Sequence, residues 1–340
     1  MAEKGDGVGR AFILDLRKKP LAPLYVFYGE ESYRRETAIS FIKKRLVPDG
    51  GALWDLIELG EKTTADAVAE AVSTPPVLAE KKLVIVRGFD PVKNDISPVL
   101  DALNDACCTI FVMESADWKP DRRLKSYKAV AKAGVFAEFG LASGEELAGF
   151  VARCFSDRGH TISREDIEYF CFLCSPRMGE LLLEIDKISA YASAERIRRE
   201  EIDAVATRAV EARVFEMCDA LTGGNYARAL DMLSDLETAG EAAIAVMAVI
   251  ARQFRQLYAA RMAYDRRLPE REVMEILSLR FSSIVRRISA SAARMPLARL
   301  RRVLMLCMET DQALKSSRAA PYETLRLFIM RCAVLEKEAV

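Results

Sequence analysis

The first part of the chain alternates short runs of consecutive apolar residues with longer segments of helical periodicity. Runs of about four to eight apolar residues are too short for ordinary helices and are typical of strands buried on both faces. Their alternation with helices of about 10–15 residues indicates βαβ units and a mostly parallel sheet. The sequence therefore predicts an α/β domain, with a helix beginning near Asp121 and strands at residues 24–28, 53–59, 82–86, 108–114 and 135–139.

The pattern changes at Ser143, and from there on apolar residues recur at helical spacing, so that no strand is predicted. We divide the chain into an α/β domain at 1–140, a small helical domain at 141–210 and an all-α domain at 211–340. Three residue pairs have the spacing of a helix-capping box: Thr63 with Asp66, Ser143 with Glu146, and Ser163 with Asp166. The longest apolar stripe consists of Ile244, Met247, Ile250, Phe254 and Leu257.

Composition excludes several classes of chemistry. The 340 residues, 51% of them hydrophobic, suffice for two or three domains without disulfides or metals. The one C-x-x-C pair, Cys171 and Cys174, lacks the second ligand pair of a zinc site, and His160 is the single histidine. We therefore predict buried thiols, no catalytic residue, no metal and no cofactor. No signal peptide or membrane span is predicted, so we expect a cytoplasmic protein.

The junction of the first strand and the next helix, residues 25–33 (YVFYGEESY), has the architecture of a phosphate-binding turn. A phosphate loop needs Gly-x-x-x-x-Gly-Lys-Ser/Thr, so that backbone amides, a lysine and a hydroxyl surround the phosphates. After Gly29 this chain supplies Glu30 and Glu31, which suit the helix dipole but repel a triphosphate. We interpret these three residues as a degenerate nucleotide-site turn in a protein that works by binding.

The end of the third strand supports the same interpretation. ATPases of this architecture place Mg²⁺-binding acids at the end of a central strand. Here the strand ends in Val86, Arg87 and Gly88, so that a positive charge stands in that place. Asp90 and Glu114 remain available, but neither forms an Asp-Glu pair after an apolar run. Two independent losses argue against ATP hydrolysis.

The segment at residues 74–80 (TPPVLAE) is a candidate binding tip. Its two prolines end the second helix and stiffen the connection to the third strand. They present Val77 and Leu78 beyond the helix, and Pro76, Val77 and Leu78 form the candidate contact. The alternative is that both apolar side chains fold back into the core.

Residues 252–302 contain 13 arginines and only 4 acidic residues, in a chain whose totals of 50 basic and 50 acidic residues are equal. The charges form either an ordinary solvated helix face or a surface for acidic partner subunits or nucleic-acid phosphate. Few aromatic residues are interleaved, so base stacking is weakly supported. The candidate basic surface consists of Arg252, Arg255, Arg286, Arg287, Arg301 and Arg302.

These segments together resemble a known family. Residues 23–33 (PLYVFYGEESY) resemble the opening of the bacterial DNA polymerase III delta subunit. Residues 74–87 are similar to the family's segment before the third strand, where an apolar pair contacts the sliding clamp. Val77 and Leu78 match that pair, although the family usually carries a bulkier one such as Leu-Phe. Further matches lie in 215–230, 251–257 and 310–315, where Asp311 and Lys315 have a helix-supporting spacing of four.

The resemblance implies an architecture of the AAA+ clamp-loader type, with a Rossmann-like domain, a small helical lid and a helical collar that joins a five-membered ring. It implies a subunit that does not hydrolyse ATP, and that binds and opens the sliding clamp for loading onto primed DNA during replication. The implied partners are the clamp (beta subunit), the gamma/tau and delta prime subunits through the collar, and primed DNA in the assembled complex.

Two other functions remain open at this point. A nucleotide-dependent AAA+-type enzyme with an unusual phosphate loop would bind ATP as an isolated chain. An arginine-rich helical scaffold would bind nucleic acid directly, tightly and with strong salt dependence.

Overall fold

The computed structural model describes residues 10–47, 54–316 and 320–337. Within these ranges the chain forms two compact units, with the main boundary between Ser143 and Gly144. The first unit holds the residues up to 143 together with 177–179, and the second holds 144–176 and the residues from 180 onwards. The boundary lies close to the predicted end of the α/β domain at residue 140. The further division of the helical part at residue 210 stays a prediction.

The first unit contains a five-stranded sheet whose neighbouring strands are all parallel, in the order β2-β3-β4-β1-β5. This confirms the predicted α/β fold class with a parallel sheet. The central strands are buried along their whole length, which explains why they lack alternating polar residues. The strands are β1 Leu24–Tyr28, β2 Leu56–Leu59, β3 Lys82–Arg87, β4 Cys107–Val112 and β5 Val135–Glu138.

Helices cover both faces of this sheet, because alternate residues of each strand point to opposite sides. Tyr25 and Phe27 belong to a core that includes Ile39 and Ile42, whereas Val26 packs on the other side with residues of three later helices. Each face of the sheet is therefore a separate apolar layer. The helices of this unit are α1 Arg10–Lys18, α2 Ser32–Leu46, α3 Ala65–Ser73, α4 Ser97–Ala102 and α5 Lys125–Ala133.

Several predicted boundaries in this unit are wrong by a few residues. The second strand begins at Leu56 instead of residue 53, which lies outside the described residues. The helix predicted near Asp121 begins at Lys125, because the Asp121 carboxylate accepts hydrogen bonds from the backbone and guanidinium of Arg123. The cap of α3 is Thr64, whose hydroxyl accepts from the Ala67 amide, so the capping pair predicted from Thr63 is displaced by one.

The second unit is almost entirely helical. Ser163 caps α7 as predicted, since its hydroxyl accepts a hydrogen bond from the Asp166 amide. The prediction that no strand follows residue 143 is wrong, because β6 and β7 form a two-residue parallel pair too short to give an apolar run. The elements are α6 Gly144–Ser156, β6 Thr161–Ile162, α7 Arg164–Leu173, α8 Met178–Tyr191, β7 Arg196–Ile197, α9 Arg199–Val205, α10 Val210–Thr222, α11 Tyr226–Thr238, α12 Ala243–Asp265, α13 Glu270–Leu277, α14 Ser282–Ala293, α15 Leu297–Ser316 and α16 Pro321–Lys337.

A large apolar core in the second unit extends along the chain from Val214 to Cys332. Met247, Ile250 and Phe254 lie in this core, as their helical spacing predicts. Ile244 is wrongly placed in the predicted stripe, because its side chain lies in the first turn of α12 and is half exposed. The core consequently lies between long amphipathic helices.

Candidate functional site

The turn between β1 and α2 is closed by the backbone that follows β5. Gly29 has φ +115°, and a Cβ at this position would lie 2.5 Å from the carbonyl oxygen of Phe139. Real Cβ atoms do not approach a backbone oxygen so closely, and side chains rarely adopt this φ. Only glycine fits, and the requirement is one of chain packing, independent of any phosphate.

The amide that would meet a phosphate at this helix start is already used. The backbone N–H of Glu31 donates to the Phe139 carbonyl at 2.9 Å, and the N–H of Phe139 donates to the Tyr28 carbonyl at 2.7 Å. Glu31 is buried, whereas Glu30 is exposed. A phosphate would therefore have to displace a backbone hydrogen bond and approach a carboxylate, which disfavours the nucleotide site.

Two arginines tie the carboxyl ends of the central strands together. The buried Arg35 donates through Nη1 to the carbonyls of Met113 at 2.9 Å and Gly29 at 3.3 Å. Arg87 at the end of β3 forms ion pairs with Glu36 at 2.8 Å and Glu114 at 3.3 Å. These contacts raise the pKa of Arg87, and the hydrogen bond to Glu36 has the largest effect. Guanidinium groups therefore occupy the carboxyl ends of the central strands, where an ATPase holds Mg²⁺.

Asp90, the second acid that the sequence left available, has a structural role. One oxygen of its carboxylate accepts hydrogen bonds from the amides of Val92 at 2.9 Å and Lys93 at 3.1 Å. The other oxygen accepts from the indole nitrogen of Trp118 at 2.6 Å. The carboxylate therefore stabilises a turn and an aromatic side chain.

The candidate tip lies outside the core. Val77 is 64% exposed and Leu78 is 65% exposed, so the alternative that they fold back into the core is wrong. Pro76 beside them is half-buried. Trp54, which the sequence interpretation did not select, is 61% exposed on the same unit. Large apolar side chains as exposed as these are the expected sign of a contact surface when they lie close together.

A single carboxylate holds the backbone of this tip. Asp55 accepts hydrogen bonds from the amides of Val77 at 2.6 Å, Leu78 at 2.8 Å and Ala79 at 2.6 Å. These hydrogen bonds lower the pKa of Asp55, and the one from Val77 has the largest effect. The sequence analysis did not select Asp55. Its position directly before a strand of an apolar sheet was an available signal, because a carboxylate that is buried there needs hydrogen-bond donors nearby.

A buried cation lies near the same carboxylate. Lys82, the first residue of β3, is almost fully buried, and its Nζ has no hydrogen-bond partner in the described part of the chain. Burial lowers the pKa of Lys82, while the negative charge of Asp55 opposes that change. The sequence signal was only a doubled lysine, which is ordinarily solvated.

The predicted basic surface divides into paired and unpaired residues. Arg252 lies 3.8 Å from Glu211, and Arg287 forms an ion pair with Asp219 at 2.6 Å and stacks over Phe215. Arg301 donates a hydrogen bond to the hydroxyl of Tyr258. Tyr258 lies on α12, about one helical turn after Arg255. Arg302 is exposed and belongs to the same stretch of α15. No ion pair is found for Arg255 or Arg286 within the described ranges, and both are exposed.

The cysteines and the described acidic residues do not form a metal or thiolate site. All eight cysteines are buried and free, as predicted for thiols on helix and strand faces. Burial raises the pKa of Cys171 to about 12 and also raises that of Cys174, which disfavours thiolate chemistry. Among the described residues, no group of three or more His, Cys, Asp or Glu side chains is arranged to hold a metal ion.

Comparison with known proteins begins with the second unit. Residues 211–332 match the family described as DNA polymerase III delta subunit, C-terminal domain. The chain is 25% identical over 253 residues to DNA polymerase III subunit delta of Bacillus subtilis, which covers 71% of this chain and 73% of that protein. The resemblance to the delta subunit of DNA polymerase III is therefore confirmed. A probable DNA polymerase III subunit delta of Aquifex aeolicus is 23% identical over 276 residues, which is 77% of each chain.

A solved structure agrees with the fold of this delta-like chain. The Bacillus subtilis DNA clamp loader delta protein matches with a TM-score of 0.56 and 20% identity, over 95% of this chain and 99% of that chain. At this identity the match concerns the fold. Together with the sequence comparisons it shows that the chain is similar to delta subunits of DNA polymerase III in sequence and in fold.

No helix in the part of the chain that the structure describes is both long enough and apolar enough to span a bilayer.

Proposed function

We propose that this chain is the clamp-binding subunit of a bacterial clamp loader, and that it binds and opens the ring-shaped sliding clamp without hydrolysing ATP. The observation that carries the proposal is the exposed pair Val77 and Leu78 on a loop whose backbone is held by hydrogen bonds. The two side chains correspond to the apolar pair with which the delta family contacts its clamp.

The energetics of such a tip suit a binding protein. Burying an apolar side chain of this size contributes about 1.5–3 kcal/mol. Because Val77 and Leu78 keep roughly two-thirds of their surface in water, most of that free energy is available to a partner. The half-buried Pro76 completes the contact and has no amide that needs a partner.

Opening of the clamp then follows as a shift between two populations. A closed ring opens rarely, and a subunit that binds the open or strained ring more tightly shifts the equilibrium by its differential affinity. No covalent chemistry in this chain is needed. The degenerate turn at Gly29, Glu30 and Glu31 and the ion pairs of Arg87 support a subunit in which ATP acts only through its neighbours.

The helical part would provide assembly. Residues 211–340 would form the collar that packs beside the gamma/tau and delta prime subunits, and residues 141–210 would form the small lid domain. This division is supported by the core from Val214 to Cys332, whose fully buried residues all lie within the proposed collar, while Phe172 of the proposed lid packs against it. The exposed arginines of residues 252–302 would face partner subunits or primed DNA in the assembled complex. A cytoplasmic location is part of the same proposal.

The test is a Val77→Ser, Leu78→Ser variant of the full chain, titrated with the sliding clamp of the same organism. Losing two anchors of about 1.5–3 kcal/mol each is expected to weaken binding about 100-fold or more, because each 1.4 kcal/mol corresponds to a factor of ten. Circular dichroism should show an unchanged fold, since both side chains are exposed.

Leu183 provides a matched control. Its side chain is 65% exposed, as is that of Leu78, but it belongs to α8. Leu183→Ser should therefore leave clamp affinity unchanged. Equal affinity of the tip variant and the wild-type chain would refute the proposed contact.

A further inference from the structure

Asp55 connects the candidate tip to the rigid sheet. Its backbone carbonyl accepts a hydrogen bond from the Leu83 amide at 2.8 Å, which extends the pairing of β2 with β3 by one residue. Its side-chain carboxylate accepts hydrogen bonds from the three amides of residues 77–79. Since Asp55 is fully buried, its position is determined by the sheet and not by solvent.

The three bonds use the first three amides that follow the proline pair of the tip. Pro75 and Pro76 have no N–H, so Val77, Leu78 and Ala79 carry the first amides after the proline pair. All three donate to one carboxylate, at 2.6–2.8 Å. Bonds from amides to an ionised carboxylate are shorter and stronger than neutral ones. The backbone is thereby fixed while the side chains of Val77 and Leu78 stay in water.

The three amides, with a smaller contribution from the charge of Lys82, compensate the burial of the carboxylate. A carboxylate removed from water is costly unless donors or an opposite charge surround it. The charge of Lys82 lowers the pKa of Asp55 in addition to the three amides, and its Nζ has no hydrogen-bond partner in the described ranges. Asp55 directly precedes β2, and Lys82 is the first residue of the neighbouring strand β3.

We infer that Asp55 is a positioning residue, which holds the loop of residues 77–79 in its binding conformation before the partner arrives. This inference rests on the proposed function, because it concerns how the same tip binds the clamp. A loop that is already ordered loses less conformational entropy on association, so that more of the contact energy appears as affinity. Asp55 itself does not touch the partner.

The experiment compares Asp55→Asn with Asp90→Asn in the full-length chain. Asparagine keeps the shape but removes the charge and the second acceptor oxygen. Asp90 is the matched control, because its carboxylate also accepts two neighbouring backbone amides but lies outside the tip. Clamp affinity is measured by titration, and amide protons of residues 77–79 are followed by NMR with selective labelling.

We expect Asp55→Asn to weaken clamp binding about tenfold or more and to move the three amide signals upfield. Asp90→Asn should change neither. Equal loss of affinity in the two variants would mean that Asp55 acts only through stability. If Asp55→Asn kept wild-type affinity while the Val77→Ser, Leu78→Ser variant bound weakly, the inference would be overturned but the proposed contact would stand. Wild-type affinity in the Val77→Ser, Leu78→Ser variant would instead overturn the proposed contact, and this inference with it.

A second measurement needs no variant and decides the inference even if Asp55→Asn fails to fold. Hydrogen exchange of the residue 77–79 amides is compared in the free wild-type chain and in its complex with the clamp. A preformed loop should be protected before binding and gain little afterwards. Amides that exchange freely until the clamp is added would show that the partner orders the loop.

Discussion

Arg87, the last residue of β3, donates two hydrogen bonds to the carboxylate of Glu36, at 2.8 and 2.9 Å. The pair joins the end of a central strand to α2 at the place where an ATPase of this architecture binds Mg²⁺. A bidentate pair of this kind fixes both side chains. The Glu36 carboxylate therefore fixes the positive charge of Arg87 at the carboxyl end of β3.

This pairing predicts that the isolated chain does not bind ATP. A triphosphate with Mg²⁺ would have to compete with the ion pairs of Arg87 and displace the Glu31 amide from Phe139. Equilibrium dialysis up to millimolar ATP should show no saturable binding, with a clamp-loader subunit that has an intact phosphate loop as the positive control. Micromolar binding would favour the alternative of a nucleotide-dependent enzyme.

Replacing Gly29 by alanine should destabilise the first unit. The new Cβ would combine an unfavourable φ of +115° with a clash against the Phe139 carbonyl. Backbone strain of this kind costs about 1–3 kcal/mol, and the clash adds to it. Urea unfolding measures the loss. Gly240→Ala is the control, because its φ of +78° carries strain while no atom lies within 4 Å of the new Cβ. A smaller loss at Gly29 than at Gly240 would contradict the packing argument.

A fragment of residues 211–340 should fold by itself and join the other loader subunits. The fully buried residues of its core, which extend from Val214 to Cys332, all lie within the fragment, and among the described hydrophobic residues only the partly buried Phe172 and Val210 pack against this core from outside it. Circular dichroism should show a helical spectrum with one cooperative thermal transition, and size-exclusion chromatography should show co-elution with partner subunits. A fragment that stays unfolded, or that elutes alone, would count against a collar at these residues.

The double variant Arg255→Gln, Arg286→Gln should weaken loader assembly or DNA loading more than clamp binding. Neither residue forms an ion pair in the described ranges, so the fold should not change. The effect should be largest at low salt, since exposed charges are screened at higher ionic strength. Arg228→Gln is the control, because Arg228 is an exposed arginine of α11 that lies outside residues 252–302. Unchanged assembly and loading at low salt would leave these charges as a solvated face.

The order of the tip should depend on pH through Asp55. Hydrogen bonds from the amides of residues 77–79 lower the pKa of Asp55 in the folded chain, and the bond from Val77 has the largest effect. The charge of Lys82 acts in the same direction. The stabilising effect of the Asp55 carboxylate is therefore fully present above the unfolded value of about 3.9 and is lost as the pH falls through the lower folded value. Amide shifts of Val77 and Ala79, followed by NMR against pH, should titrate below the ordinary aspartate range. Titration above that range would contradict the assigned bonds.

The sequence alone determined the elements whose burial is nearly complete. The run at Leu24–Tyr28 is a strand over the predicted residues because every side chain in it is buried. The stripe of Met247, Ile250 and Phe254 is likewise a core face, since a helix buried on one side leaves a period of 3.6 residues. Asp311 and Lys315 form the predicted ion pair at 2.7 Å, because that contact depends only on helix geometry.

Tertiary structure alone decided the features that depend on residues distant in sequence. The backbone of the tip is held by Asp55, which lies 22 residues before Val77 and accepts a hydrogen bond from its amide. Neither residue predicts this bond when it is considered by itself in the sequence. The turn at Gly29 is closed by Phe139, and Arg87 is paired with Glu36, through contacts that only the parallel sheet creates. Local patterns fix which residues are buried, whereas the pairing of polar groups is set by which strands become neighbours.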